Sequence, residues 1–187
     1  MVIGAGGCRH SPSNLDPMDY RSIKWIIFTV LSLTVPALLF LFVVVMLFPA
    51  VFFLAGIAYM IPKAFAAGHT GETLNFIVIF GIHALVYFGL YYGISVLLAK
   101  VISLIGNRWI RNSTVISICL GLISLTQFPI YGGGGHGPVR LYTLSQLIEE
   151  TNKSYGSGAF QIVYGIAIVL LLGMLIFQKK KGKADAG

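Results

Sequence analysis

One histidine of this chain stands inside an apolar run. His83 is followed one turn later by Tyr87, then by Tyr91 and Tyr92. An imidazole in a membrane helix can ligate haem iron or another metal, or shuttle a proton. A bis-histidine haem needs a second histidine at matching depth, and no other apolar run contains one. The reading favoured is therefore a histidine bonded to a tyrosine or a backbone carbonyl between helices. Gln127 and Gln161 join His83 as intramembrane polar candidates, and neither a cofactor nor a metal is expected.

A second grouping lies between Phe128 and Arg140. Phe128-Pro129-Ile130-Tyr131 precedes four glycines, Gly132 to Gly135, and then His136-Gly137-Pro138-Val139-Arg140. Glycine runs accept positive φ and favour turns, so a flexible loop is expected. A phosphate-cradling loop would need a Lys-Ser or Lys-Thr at fixed spacing before a helix, and neither is present. His136 and Arg140 are the outer-loop candidates, since a guanidinium pairs with carboxylate or phosphate. His69, Glu72, His136, Glu149 and Glu150 are metal-ligating types, but they fall in three separate places and are expected to be solvated.

After this loop, Leu141, Leu144, Leu147 and Ile148 repeat at helical spacing, with Thr143 or Ser145 as a cap. They predict a short amphipathic helix on the outer interface, or one packed on Ala50–Ile61. Asn152-Lys153-Ser154 matches a glycosylation acceptor.

The elements that must carry these residues follow from composition. The chain has 187 residues, 57% hydrophobic and only 10% charged, with a net charge of +7. An ordinary soluble domain is about 25% charged. So few charges cannot cover a soluble surface, which excludes a soluble enzyme, a disordered chain and a nucleic-acid-binding domain. The fold class expected is all-α: a polytopic membrane protein built as a four-helix transmembrane bundle with short outer interfacial helices. Cys8 lies in a polar tail and Cys119 in an apolar run, so no disulfide is expected. Too few residues precede Cys8 for a cleaved signal, and the first apolar block reads as an uncleaved anchor.

A spanning helix needs about 20 apolar residues. Spans are expected at about 25–48, 74–99, 113–131 and 159–178. Residues 1–22 form a cytoplasmic tail, 23–178 a single transmembrane domain, 50–73 and 132–158 the outer segments, and 179–187 a basic cytoplasmic tail. The first block is ambiguous, because one helix over Trp25–Pro62 would reach roughly 57 Å. Charge arbitrates, since cytoplasmic loops are rich in Lys and Arg. Four spans place ten of the 13 basic residues inside, whereas five spans divide them six to seven. The four-span model puts both termini in the cytoplasm. It leaves Ala50–Ile61 as an outer interfacial helix or half-span, and Pro36 as a kink in span one. Trp109 and Tyr131 are expected at the membrane interfaces.

Three spans carry a stripe of small residues: Gly81, Gly89 and Gly93; Ser113, Ser117, Gly121 and Ser124; Gln161, Gly165 and Gly173. Small residues let membrane helices approach closely. They serve packing within the bundle or contact with a partner.

No Asp, Glu, Lys or Arg lies in a span interior, which disfavours a proton-driven transporter. The function expected is a non-catalytic integral protein of the plasma (inner) membrane. It would be an accessory or assembly subunit whose partners are the bilayer and other membrane subunits or itself. In size, span number and terminus location the chain loosely resembles the immunity proteins of pore-forming bacteriocins, with Pro138-Val139-Arg140-Leu141 as the local feature. That resemblance implies protection against a membrane-active toxin. A small transporter or membrane enzyme with an outer site at His136 and Arg140 is the remaining alternative.

Overall fold

The computed structural model describes residues 20–41, 44–68, 70–134, 138–156 and 158–184. The chain runs α1 (Tyr20–Thr34), β1 (Pro36–Leu41), β2 (Val44–Pro49), α2 (Ala50–Ala67), α3 (Thr70–Ser103) and α4 (Arg108–Ser124). A single 3-10 turn at Leu125–Gln127 then leads to β3 (Tyr131–Gly134), β4 (Arg140–Tyr142), α5 (Leu144–Tyr155) and α6 (Ala159–Ala184). The protein is mostly helical. Three helices, α2, α3 and α4 with its 3-10 turn, are long and apolar enough to cross a membrane.

α3 is the axis of the structure. Its 34 residues extend over roughly 51 Å, more than a bilayer core needs. Lys24 of α1 donates to the Tyr92 hydroxyl at 3.0 Å, and Phe28 meets Phe88 at 6.0 Å. Further along the chain, Phe53 of α2 meets Phe80 at 5.5 Å. α1 therefore covers the C-terminal half of α3 and α2 its N-terminal half, both antiparallel to it. Gly68, at φ 68, turns the chain between α2 and α3, a backbone state that glycine enters without a Cβ clash.

The expected span over 25–48 is not one helix. α1 stops at Thr34, and Pro36–Leu41 pairs antiparallel with Val44–Pro49 before α2 begins at Ala50. Pro36 does not kink a helix but opens β1, where a missing backbone donor is tolerated at a strand end. Ala50–Ile61 lies within an 18-residue apolar helix, longer than a half-span.

The second surprise is the glycine run. Instead of a loose turn, Tyr131–Gly134 is a central strand of a four-stranded antiparallel sheet ordered β1-β2-β3-β4. Val45 pairs with Gly134, and Gly132 pairs with Leu141. A Cβ on Gly132, at φ 133, would strike the Arg140 carbonyl oxygen. A Cβ on Gly133 would lie 2.6 Å from the Val45 carbonyl oxygen and 3.2 Å from Met46 Cα. Side chains here would hold the strands apart, so glycine is required by close backbone approach.

Three apolar clusters hold the layers together. Ile23, Ile27 and Leu31 of α1 pack with Tyr91, Ala99 and Ile102 of α3 and Val115 of α4. Ala37 and Leu39, alternate residues of β1, bury one strand face against Phe53 and Ala84. Val51, Phe52, Ala55 and Tyr59 of α2 meet Tyr131, Leu147, Phe160 and Tyr164. The aromatic contacts Phe52–Tyr164 at 6.0 Å and Tyr59–Phe160 at 6.2 Å show α6 running antiparallel to α2. Tyr131 is fully buried rather than standing at a membrane interface, while Trp109 is exposed.

Candidate functional site

The break between α1 and α2 creates a problem of backbone satisfaction. The last carbonyls of a helix have no partner within it, and in an apolar setting each unsatisfied group is costly. Three tyrosines resolve this. Tyr131 donates its hydroxyl to the Thr34 carbonyl. Tyr91 donates to the Val35 carbonyl at 3.2 Å, and Tyr87 to the Leu38 carbonyl at 2.6 Å. Ser32 and Thr34, both buried, donate back to Phe28 and Val30 at 2.8 and 2.7 Å. Tyr87 and Tyr91 come from one turn of α3 and Tyr131 from β3. The break is thus supported from two distant parts of the chain.

Beside the break lies a cavity of about 640 Å³, within the range of about 300–1,000 Å³ usual for small-molecule sites. Its apolar wall comes from the hairpin, α2, α3 and α6, with Met46, Phe52, Met60, Phe80 and Phe160 prominent. The polar groups come from α5, β4 and α2: Glu150, Thr151, Ser154, Tyr142 and Tyr59. α5 is fixed at its start by a capping box. Thr143 accepts from the Gln146 amide, and Gln146 accepts from the Thr143 amide. On its outer face Lys153 pairs with Glu149 at 3.0 Å and Glu150 at 3.2 Å. Side-chain hydrogen bonds from Glu149 and then Glu150 hold the Lys153 ammonium above its ordinary pKa.

The residues singled out from the sequence distribute as follows. His83 bonds through Nδ1 to the Ile79 carbonyl of its own helix at 2.8 Å and faces Phe53. This is a backbone carbonyl one turn back rather than a group on a neighbouring helix. Gln161 does not stand free in a membrane run. It joins α6 to α5, its side chain accepting from Asn152 at 3.1 Å and its amide donating to Asn152 at 3.0 Å. Asn152, the glycosylation candidate, is therefore engaged within a helix. Gln127 is exposed in the 3-10 turn and bonds to Thr126. Arg140 is exposed on the edge strand β4. His136 lies outside the described residues. No cluster of three or more metal-ligating side chains occurs among the described residues.

The small-residue stripes divide. The Cβ position of Gly81 lies 4.0 Å from the Ile57 side chain of α2. Gly89, Gly93, Gly121, Gly165 and Gly173 each have open space where a Cβ would stand. On α4, Ser113, Ser117, Gly121 and Ser124 are all exposed, and only Val115 is buried. The close α2–α3 crossing instead uses Gly56, whose Cβ position lies 3.2 Å from the Phe80 ring.

Comparison with protein-family models, curated proteins and solved structures finds no match to this chain.

Proposed function

We propose that this chain is a non-catalytic accessory or assembly subunit of a larger complex in the plasma (inner) membrane, which it contacts through α3 and α4. The observation that carries this reading is the open space over Gly89, Gly93 and Gly121. Small residues on membrane helices permit close helix–helix approach, where packing and weak hydrogen bonds replace the hydrophobic drive. On α3 the buried stripe holds Ala84, Tyr91, Ser95 and Ala99, and Gly89 and Gly93 lie on exposed surface. α4 presents its serine and glycine stripe outward as well. A further helix fits against either.

The topology that goes with this reading has four crossings. α1, the hairpin and α2 form one broken crossing, and α3, α4 and α6 form the others. Both termini and the α3–α4 connection then face the cytoplasm. The basic residues Lys100, Arg108 and Arg111 flank that connection, as the positive-inside rule requires.

Cysteine cross-linking in native membranes tests the subunit reading. Gly93→Cys and Gly121→Cys are expected to trap a heavier adduct, whereas Lys63→Cys is not. Adducts equally abundant at all three positions, or at none, would remove it.

A further inference from the structure

We propose that the cavity between the hairpin, α2, α3, α5 and α6 binds one hydrocarbon chain of an amphiphile whose head group carries an ammonium. The apolar part of the argument is the wall itself. Phe52, Phe80, Phe160, Met46 and Met60 offer no hydrogen bonds and suit a flexible chain.

The head-group part rests on which protons are already committed. A serine or threonine hydroxyl has one proton to donate. Thr151 donates its proton to the Leu147 carbonyl at 2.8 Å, and Ser154 donates its proton to the Glu150 carbonyl at 3.0 Å. Both residues line the cavity, and with their protons committed their hydroxyl oxygens are left as acceptors. The Glu150 carboxylate only accepts, and Lys153 engages its Oε1, leaving Oε2. Tyr142, on the same side, both accepts and donates. Of the five polar side chains at the cavity, Tyr59 and Tyr142 can both accept and donate, while the other three require a donor, and one of those is a carboxylate. An ammonium head satisfies this set with charge-assisted hydrogen bonds. A phosphate-only, carboxylate or quinone head does not, since each presents acceptors to acceptors. Ethanolamine phospholipids and free long-chain amines share this chemistry.

The test uses native mass spectrometry of the full chain, extracted in mild detergent and offered an equimolar mixture of phosphatidylethanolamine and phosphatidylglycerol with identical chains. Retention of the ethanolamine lipid is expected to exceed that of the glycerol lipid about tenfold, the weight of one charge-assisted hydrogen bond. Glu150→Gln is expected to erase the preference and Glu150→Lys to reverse it. Met60→Trp, which fills the cavity, is expected to lower retention of both lipids. Glu150 is half-exposed, so its variants leave the apolar wall intact. Displacement of the bound phospholipid by hexadecylamine but not by hexadecanoate supports the ammonium as the recognised group. Binding of hexadecylamine without retention of either phospholipid assigns the site to free amines. Equal retention of the two phospholipids with no hexadecylamine binding, or a preference that survives Glu150→Lys, would overturn the proposal. So would lipid retention that Met60→Trp leaves unchanged.

Discussion

The Tyr131 hydroxyl donates to the Thr34 carbonyl, a contact that spans 97 positions of the chain. It ties the strand after α4 to the end of α1, where the helix gives way to the hairpin. Tyr164 makes an instructive contrast. It is equally enclosed, yet its hydroxyl has no partner among the described residues. Removing a hydroxyl that satisfies a buried carbonyl costs about 1–3 kcal/mol, whereas removing an unpaired one is close to neutral or stabilising. Tyr131→Phe is thus expected to destabilise the fold by about that amount and Tyr164→Phe to leave it unchanged or slightly firmer. Unfolding in mixed detergent micelles, followed by tryptophan fluorescence, gives both values. Equal losses would contradict this account of the break.

The glycine strand yields a second expectation. Gly132→Ala and Gly133→Ala each place a methyl group against backbone atoms of the neighbouring strands. Overpacking of this kind costs about 1–3 kcal/mol. Gly71→Ala, in the first turn of α3 with nothing within 4 Å of the new Cβ, is expected to be neutral or to stabilise by a few tenths of a kcal/mol, as alanine favours a helix. Thermal unfolding of the three variants side by side checks the ordering.

α5 depends on its cap. Thr143→Ala removes the side-chain acceptor for the Gln146 amide and is expected to cost about 1 kcal/mol. The loss is local, so hydrogen exchange should rise through the first turn of α5 and stay unchanged in α3. Uniform exchange across both helices would mean that α5 is not an independently capped element.

The four-crossing topology is checked by labelling single cysteines in a background lacking Cys8 and Cys119. Gly106→Cys lies in the α3–α4 connection, and Glu149→Cys lies on the exposed face of α5. A membrane-impermeant maleimide applied to intact cells should label the Glu149 position and spare the Gly106 position until the membrane is opened. The reverse pattern would invert the orientation.

Much of the helical framework is visible in the residue pattern. The apolar runs behind α3 and α4 are bounded by Gly, Asn and charged residues, and α5 announces itself through Thr143 and its leucine spacing. The break at residues 35–49 is harder to see. Val35 to Pro49 is uniformly apolar, and a short apolar run does not distinguish a buried strand from a buried helix. Pro36 and Pro49 mark its ends but not its conformation. The role of Gly132 and Gly133 depends on a strand of the first hairpin, far away in the chain, so no local signal carries it. The cavity is similar: Phe52, Phe80, Phe160 and Glu150 come from four helices and meet only in the fold. Tyr87 and Tyr91 are legible as a pair one turn apart, but their partners, the Leu38 and Val35 carbonyls respectively, exist as free acceptors only because α1 ends early.

The subunit reading is tested most directly by the size of the particle that the full chain forms after mild detergent extraction from its native membrane. The chain itself has a mass of 20.3 kDa. The account predicts co-elution with a larger membrane assembly, and loss of that assembly in Gly89→Ile/Gly93→Ile/Gly121→Ile, whose new side chains meet no atom of this chain at the Cβ and so should leave its own fold intact. A wild-type chain that elutes alone as a monomer, or a triple variant that keeps its assembly, would contradict it.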